Sequence, residues 1–217
     1  MLTIYGVYRS RASRNLWLAN EIGLEFRHVP VIQADRLPDP AAPGAPLHSR
    51  SAEYLRINPN GRIPAIDDDG LVLAESLAIN LYLAKKYGGT LGPADLAEDG
   101  LMTSWALWAA TEAEPFTLQV LYHMAALPAA ERDAGKAAAA VAALAAPFAV
   151  LDAALAGSGW LVGGRFTVAD INTAEVIRYA QPASALFAAA PRVKAWLAAC
   201  QSRPAYKAMM AARDQEA

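Results

Sequence analysis

A chain of 217 residues with 55% hydrophobic and 18% charged residues has apolar material for one large or two small folded domains. Nineteen Lys and Arg against twenty-one Asp and Glu leave a formal net charge of −2, without the basic excess of a dedicated nucleic-acid binder. The single cysteine, Cys200, excludes an internal disulfide, so nothing asks for an oxidising compartment.

The N-terminus runs Met1-Leu2-Thr3-Ile4-Tyr5 and reaches Arg9, Arg11 and Arg14 at once, which is not a secretory signal; the expected location is the cytoplasm. Leu2 to Tyr5 and Phe26 to Ile32 read as strands. Between them, Leu16, Trp17, Leu18 and Ile22 fall at helical spacing over Ser13 to Gly23, with Gly23 as the stop. The three form a β-α-β unit whose strands should be parallel. The segment from Ala34 to His48 carries Pro38, Pro40, Pro43 and Pro46 and reads as a loop. A short helix is expected around Ser51 to Arg56. Ile63 to Ile66, a turn over Asp67-Asp68-Asp69-Gly70, and Leu71 to Leu73 make a hairpin. A helix from Ser76 to Tyr87 closes this half, with Lys85 and Lys86 at the end where cations suit the helix dipole.

Gly88 to Pro93 has the composition of a linker, and alanine concentrates beyond it. Helices are expected over roughly 95–126, 129–156, 168–180 and 191–212, with breaks at Pro115, Pro128, Gly157 to Gly164, Pro182, Pro191 and Pro204. The longest apolar stretch, Ala137 to Leu155, is mostly alanine and contains Pro147 and Asp152, which argues against a membrane span. The expected division is 1–87, a linker at 88–93, and a helical domain over 94–217.

Three patterns in the first half carry chemistry. In Arg9-Ser10-Arg11-Ala12-Ser13-Arg14 a strand turns into a helix, where a serine hydroxyl either caps the helix or donates to an anion held at its N-terminus. Arg11 and Arg14 read first as solvated loop side chains, with added positive potential for such an anion as the alternative. In Asn58-Pro59-Asn60-Gly61-Arg62-Ile63-Pro64, a proline enters a strand either as an edge residue or through a cis Ile63-Pro64 bond. The cis form would leave the Ile63 N–H and C=O free to pair with an extended peptide. Glu75-Ser76 precedes a helix; Ser76 is either a plain cap or, with Glu75, one end of a site for an amino-acid zwitterion.

Taken together, a βαβ unit, a proline before a ββα unit, Glu-Ser at the last helix, a linker and an all-helical half resemble the cytosolic glutathione S-transferase family along essentially the whole chain. The resemblance implies an α/β thioredoxin-like N-terminal domain followed by an all-α domain. Gly163-Gly164-Arg165-Phe166-Thr167-Val168-Ala169-Asp170 is similar to the family's buried capping box, with a structural role. Ser10 matches the catalytic serine of serine-type members, followed by the Ser13-Arg14 step. Tyr5 and Tyr8 are the rival hydroxyls. The turn contains no cysteine, unlike the members that reduce mixed disulfides, and Cys200 reads as packing.

By the same resemblance glutathione is the co-substrate. Ile63 with cis Pro64 would hold its cysteinyl backbone and Glu75 and Ser76 its γ-glutamyl end. His48 lies where the family often places a basic group for the glycine carboxylate, though it also reads as a surface histidine. A small hydrophobic electrophile would lie against the first long helix, which carries Trp105, Trp108, Thr111, Glu112, Pro115 and Tyr122, with Trp108, Thr111 and Pro115 as the pocket candidates. His28 and His123 have no ligand spacing, and no metal site is expected. The implied protein is a homodimeric, serine-type transferase of bacterial appearance that conjugates glutathione, with no nucleic-acid or membrane partner. A glutathione-dependent cis–trans isomerase of the zeta (maleylacetoacetate isomerase) type and a non-catalytic glutathione carrier stay open as alternatives.

Overall fold

Strands form where β-branched and aromatic residues cluster. The computed structural model describes residues 1–216. In it β1 (Leu2–Tyr5) and β2 (Phe26–Val29) pair in parallel, Leu2 opposite Phe26 and Tyr5 opposite Val29. The crossover between them is α1 (Ala12–Ile22), which ends at Gly23 in the left-handed region at φ 75°. There the N–H groups of Gly23 and Leu24 reach back to the Asn20 and Ala19 carbonyls, as a helix stop requires. The second strand is shorter than expected: past Val29 only Ile32 makes a bridge, to His48.

After the proline-rich loop come a single helical turn, α2 (Ala52–Leu55), and the hairpin of β3 (Ala65–Asp68) and β4 (Leu71–Ala74). The hairpin turns on Asp69 and Gly70, both at positive φ (54° and 91°), the twist that a two-residue connection needs. The sheet order is β2-β1-β3-β4, with β3 antiparallel to both neighbours. Against it lies α3 (Ser76–Tyr87). Asp68 is buried and accepts from Tyr82 at 2.7 Å, Lys86 at 2.8 Å and Tyr87 at 2.9 Å. Burial opposes its ionisation, but these donors outweigh it and hold the carboxyl below the ordinary range.

The remaining elements are helical: α4 (Leu96–Trp108), α5 (Glu114–Leu121), α6 (Ala134–Ala154), α7 (Val168–Ile177), α8 (Ser184–Ala189), α9 (Pro191–Ser202) and α10 (Pro204–Gln215). The expected helix over 95–126 is continuous through Pro115 instead of breaking there. A π turn at Ala109–Ala113 separates α4 from α5, and a wider turn absorbs the missing N–H and the ring clash that proline brings. Among the described residues α6 is the one helix long and apolar enough to cross a membrane. It buries Ala137, Ala140, Leu144, Phe148 and Leu151 at helical spacing, and Phe148 meets Phe187 edge-to-face at 5.1 Å. At α7 Thr167 and Asp170 form the expected reciprocal capping box.

Contacts divide the chain into two units, Met1–Gly89 with the segment from Pro204 onward, and Thr90–Arg203. The sequence grouped α10 with the other helices, within 94–217. Pro204 ends that run, and α10 packs on α1 in the first unit, with the Tyr206 ring edge-on to Trp17 at 4.9 Å and Met209 buried. The second unit begins within the expected linker. Arg165 donates to the Thr90 and Gly92 carbonyls and grips Glu98 through both Nη atoms at 2.8 and 2.6 Å. Those bonds lower the Glu98 carboxyl to about 2.

Candidate functional site

The turn between β1 and α1 starts at Gly6, whose φ of 145° is open to glycine. A Cβ there would lie 2.7 Å from the Ala12 Cβ and 3.8 Å from the Pro64 Cα, so glycine is what brings strand, helix and proline loop together. Sequence reading did not single out Gly6; its place directly after a strand is the only local signal. Ser10 is half-buried in this turn. Its hydroxyl donates to the Val7 carbonyl at 2.7 Å and accepts the Ala12 N–H at 3.0 Å. One oxygen thus accepts from the start of α1 and still carries a proton to donate: an N–H donated into a hydroxyl makes it a better donor, and the hydroxyl proton rotates about its C–O bond.

The rival hydroxyls are placed differently. Tyr5 is in β1, buried, with its ring 6.4 Å from Tyr54. Tyr8 packs edge-on against His28 at 5.2 Å. Burial, and then the Glu216 charge, push its phenol up, so it keeps its proton. Ser13 and Arg14 lie on the inner face of α1. Arg14 was expected to be a solvated arginine and is instead 1% exposed. One helical turn from Trp17 and Leu18, it follows that apolar face inward and donates to the Ser76 hydroxyl at 3.1 Å.

Ile63-Pro64 is the cis peptide bond. The preceding peptide is clamped: the Tyr54 hydroxyl and the Asn58 amide both donate to the Arg62 carbonyl, at 2.6 and 2.7 Å. Burial is the main reason the Tyr54 phenol rises to about 12. The Ile63 side chain packs on the cluster of Tyr5, Val31, Tyr54 and Ala65. Its backbone lies outside the β3 pairings, which begin at Ala65.

Glu75 is exposed at φ 68°, a conformation that side chains other than glycine rarely hold. Such a residue at the entrance to α3 is where function is sought. Ser76 is the first helical residue, and Glu75 occupies the cap position before it. A buried polar network fixes it. Beside the Arg14 bond, the Asn15 amide donates to the Ser76 carbonyl at 2.9 Å and to Asn80 Oδ1 at 2.6 Å. The Asn80 amide in turn donates to the Arg14 carbonyl at 3.2 Å. The starts of α1 and α3 are thereby held together inside the first unit.

His48 is buried, not a surface histidine. Its Nδ1 accepts the Arg50 N–H at 3.2 Å, which leaves the proton on Nε2. Burial follows from the bridge to Ile32 and from the Ser51 hydroxyl, which bonds both the His48 N–H and its carbonyl. In the helical unit Trp108 is half-buried, edge-on to Trp105 at 5.1 Å. Thr111 and Pro115 are exposed, and the Thr111 hydroxyl donates to the Leu107 carbonyl at 3.1 Å. Cys200 is buried. Among the described residues no three His, Cys, Asp or Glu side chains gather as a metal site would need.

The geometry has counterparts in known proteins. Residues 9–86 match the family model described as glutathione S-transferase, N-terminal domain, and residues 114–204 match the glutathione S-transferase C-terminal domain. The chain is 34% identical to glutathione S-transferase 3 of Zea mays, over 97% of this chain and 94% of that one. It is 33% identical to the glutathione S-transferase GstB of Escherichia coli strain K12, over 73% of this chain and 78% of that one. Among solved structures, the theta class enzyme of Xanthomonas axonopodis pv. citri with glutathione bound superposes with a TM-score of 0.76 at 31% identity, covering 95% of each chain. Glutathione transferase F7 of Populus trichocarpa gives 0.82 at 27% identity, over 98% of this chain and 99% of that one. From the sheet order to the buried Thr167–Asp170 box, and over both of its halves, the chain belongs to the glutathione S-transferase family.

Proposed function

We propose that the enzyme activates the glutathione thiol at Ser10 and transfers the thiolate to a small apolar electrophile by addition or substitution. The thiol is a weak nucleophile, and taking it from about 8.5 to about 7 requires roughly 2 kcal/mol of differential stabilisation. A hydrogen bond to a charged group contributes about 1.5–3 kcal/mol. The Ser10 hydroxyl, already receiving the Ala12 N–H, would turn its proton from the Val7 carbonyl to the sulfur.

Peptide binding is assigned to the same unit. The Ile63 backbone before cis Pro64 takes the cysteinyl segment as an added strand, Glu75 takes the ammonium and Ser76 the carboxylate of the γ-glutamyl end, and the His48 Nε2 proton suits the glycine carboxylate. The observation that carries this reading is the Arg14–Asn15–Ser76–Asn80 network, which fixes the start of the helix bearing Ser76 against that of the helix that follows Ser10.

Contacts to the electrophile are assigned to Trp108, Thr111 and Pro115. A homodimer is part of the proposal, supported by the exposed apolar Leu71 and Val72 on the edge strand β4 and Leu101 and Leu107 on α4. The cytoplasm is the proposed location.

A related structure, Ure2p5 of Phanerochaete chrysosporium, holds 1-(S-glutathionyl)-2,4-dinitrobenzene. The corresponding assay supplies 1-chloro-2,4-dinitrobenzene: the thiolate sulfur bonds to the ring carbon and chloride leaves. Product formed at a rate that depends on Ser10 supports the reading. Glutathione binding without turnover of any electrophile favours a carrier.

A further inference from the structure

The turn that carries Ser10 is held from outside by the far end of the chain. The Glu216 carboxylate accepts the Tyr8 N–H on one oxygen at 2.8 Å and the Arg9 N–H on the other at 2.7 Å. Two neighbouring backbone donors on one carboxylate make a charge-assisted, bidentate contact, stronger and more directional than a neutral bond. The Arg9 Nε donates to the Arg213 carbonyl at 3.2 Å, and Arg213 Nη1 lies 3.4 Å from the Tyr8 carbonyl. The tail is itself anchored: α10 lies on α1 through Tyr206 against Trp17 and the buried Met209. Ser10's own bonds, from its hydroxyl to Val7 and Ala12 and from the Ser13 N–H to its carbonyl, stay within the turn and the first turn of α1.

We infer that the segment Arg213–Glu216 is a clasp on the Tyr8–Ser10 turn, and that Glu216 is a positioning residue for the Ser10 hydroxyl. The clasp resists displacement of the turn while glutathione is held elsewhere, at Ile63, Glu75 and Ser76. It therefore acts on thiolate formation and not on peptide affinity. The charge of Glu216 itself disfavours a nearby thiolate, so its benefit is geometric. The inference rests on the assignment of thiol activation to Ser10.

The test compares the full chain with Glu216→Ala and Glu216→Gln. Amide hydrogen exchange at Tyr8 and Arg9 is expected to speed up at least tenfold in Glu216→Ala, since a charge-assisted bond is lost at each, while Leu16 to Leu18 in the core of α1 are unchanged. With 1-chloro-2,4-dinitrobenzene, kcat is expected to fall about fivefold to tenfold, with the glutathione Kd within about twofold of the parent. Glu216→Gln keeps one acceptor oxygen and should recover part of both effects. Parental exchange at Tyr8 and Arg9 overturns the clasp, and faster exchange with unchanged kcat overturns the positioning role. If Ser10→Ala is as active as the parent, the Ser10 assignment fails instead, and the exchange measurement still decides whether Glu216 holds the turn.

Discussion

Replacing Ser10 by alanine removes one oxygen with two partners, and the two losses separate by experiment. The first is structural: the Ala12 N–H loses its acceptor at 3.0 Å, a cap-like bond whose loss costs about 1 kcal/mol of stability. The second is chemical. A hydroxyl donating to a thiolate contributes about 1.5–3 kcal/mol, less about 1 kcal/mol for giving up the Val7 carbonyl, which leaves roughly 0.5–2 kcal/mol. The middle of that range raises the bound thiol by about one pH unit. Starting from a bound thiol near 7, the thiolate fraction at pH 6.5 then falls about eightfold, whereas at pH 9 it changes by only about a tenth. The assay is thiolate absorbance, with glutathione saturating, titrated beside the pH profile of kcat/KM for parent and variant. A deficit that vanishes at high pH supports the mechanism. A loss equal at every pH, or a thiol that titrates alike in both proteins, refutes it.

Three further outcomes are expected. Glu75→Gly should weaken glutathione binding about tenfold while leaving or raising the urea midpoint, because glycine relieves about 1 kcal/mol of cost at φ 68° and loses the carboxylate; isothermal calorimetry and urea unfolding check the two parts. Arg14→Met should lower unfolding free energy by about 2–3 kcal/mol, since the Ser76 hydroxyl and the network around it lose a charged donor at a buried position. Asp170 gives the pH dependence. Burial raises its carboxyl to about 6, against the donors from Trp196, Thr167 and Leu161, so between about pH 4 and 6 the folded state binds the extra proton. Stability contributed by this group falls as pH rises through that window, by about 2–3 kcal/mol, and is level above it. Urea unfolding should show that fall relative to Asp170→Asn, and a flat difference between the two would contradict it.

What the sequence determined by itself is local. β1 spans Leu2–Tyr5 and α3 spans Ser76–Tyr87 as read, because apolar periodicity and end signals act within a few residues. The Thr167–Asp170 box spans four residues and was legible for the same reason. Ser10, Pro64, Glu75 and Ser76 each stand at the junction of two readable elements, and it is the family resemblance that groups them into one candidate site. The tertiary structure decided what depends on remote partners. Arg14 and His48 look solvated in a string of letters, and are buried because Ser76, Ile32 and the faces around them arrive from elsewhere in the chain. The π turn at 109–113 depends on how the backbone accommodates a proline, which composition does not encode. The allegiance of α10 and the grip of Glu216 on Tyr8, 208 residues away, have no local signal at all. A carboxylate near a chain end is commonplace, and packing Tyr206 on Trp17 is what brings this one within reach of two particular N–H groups.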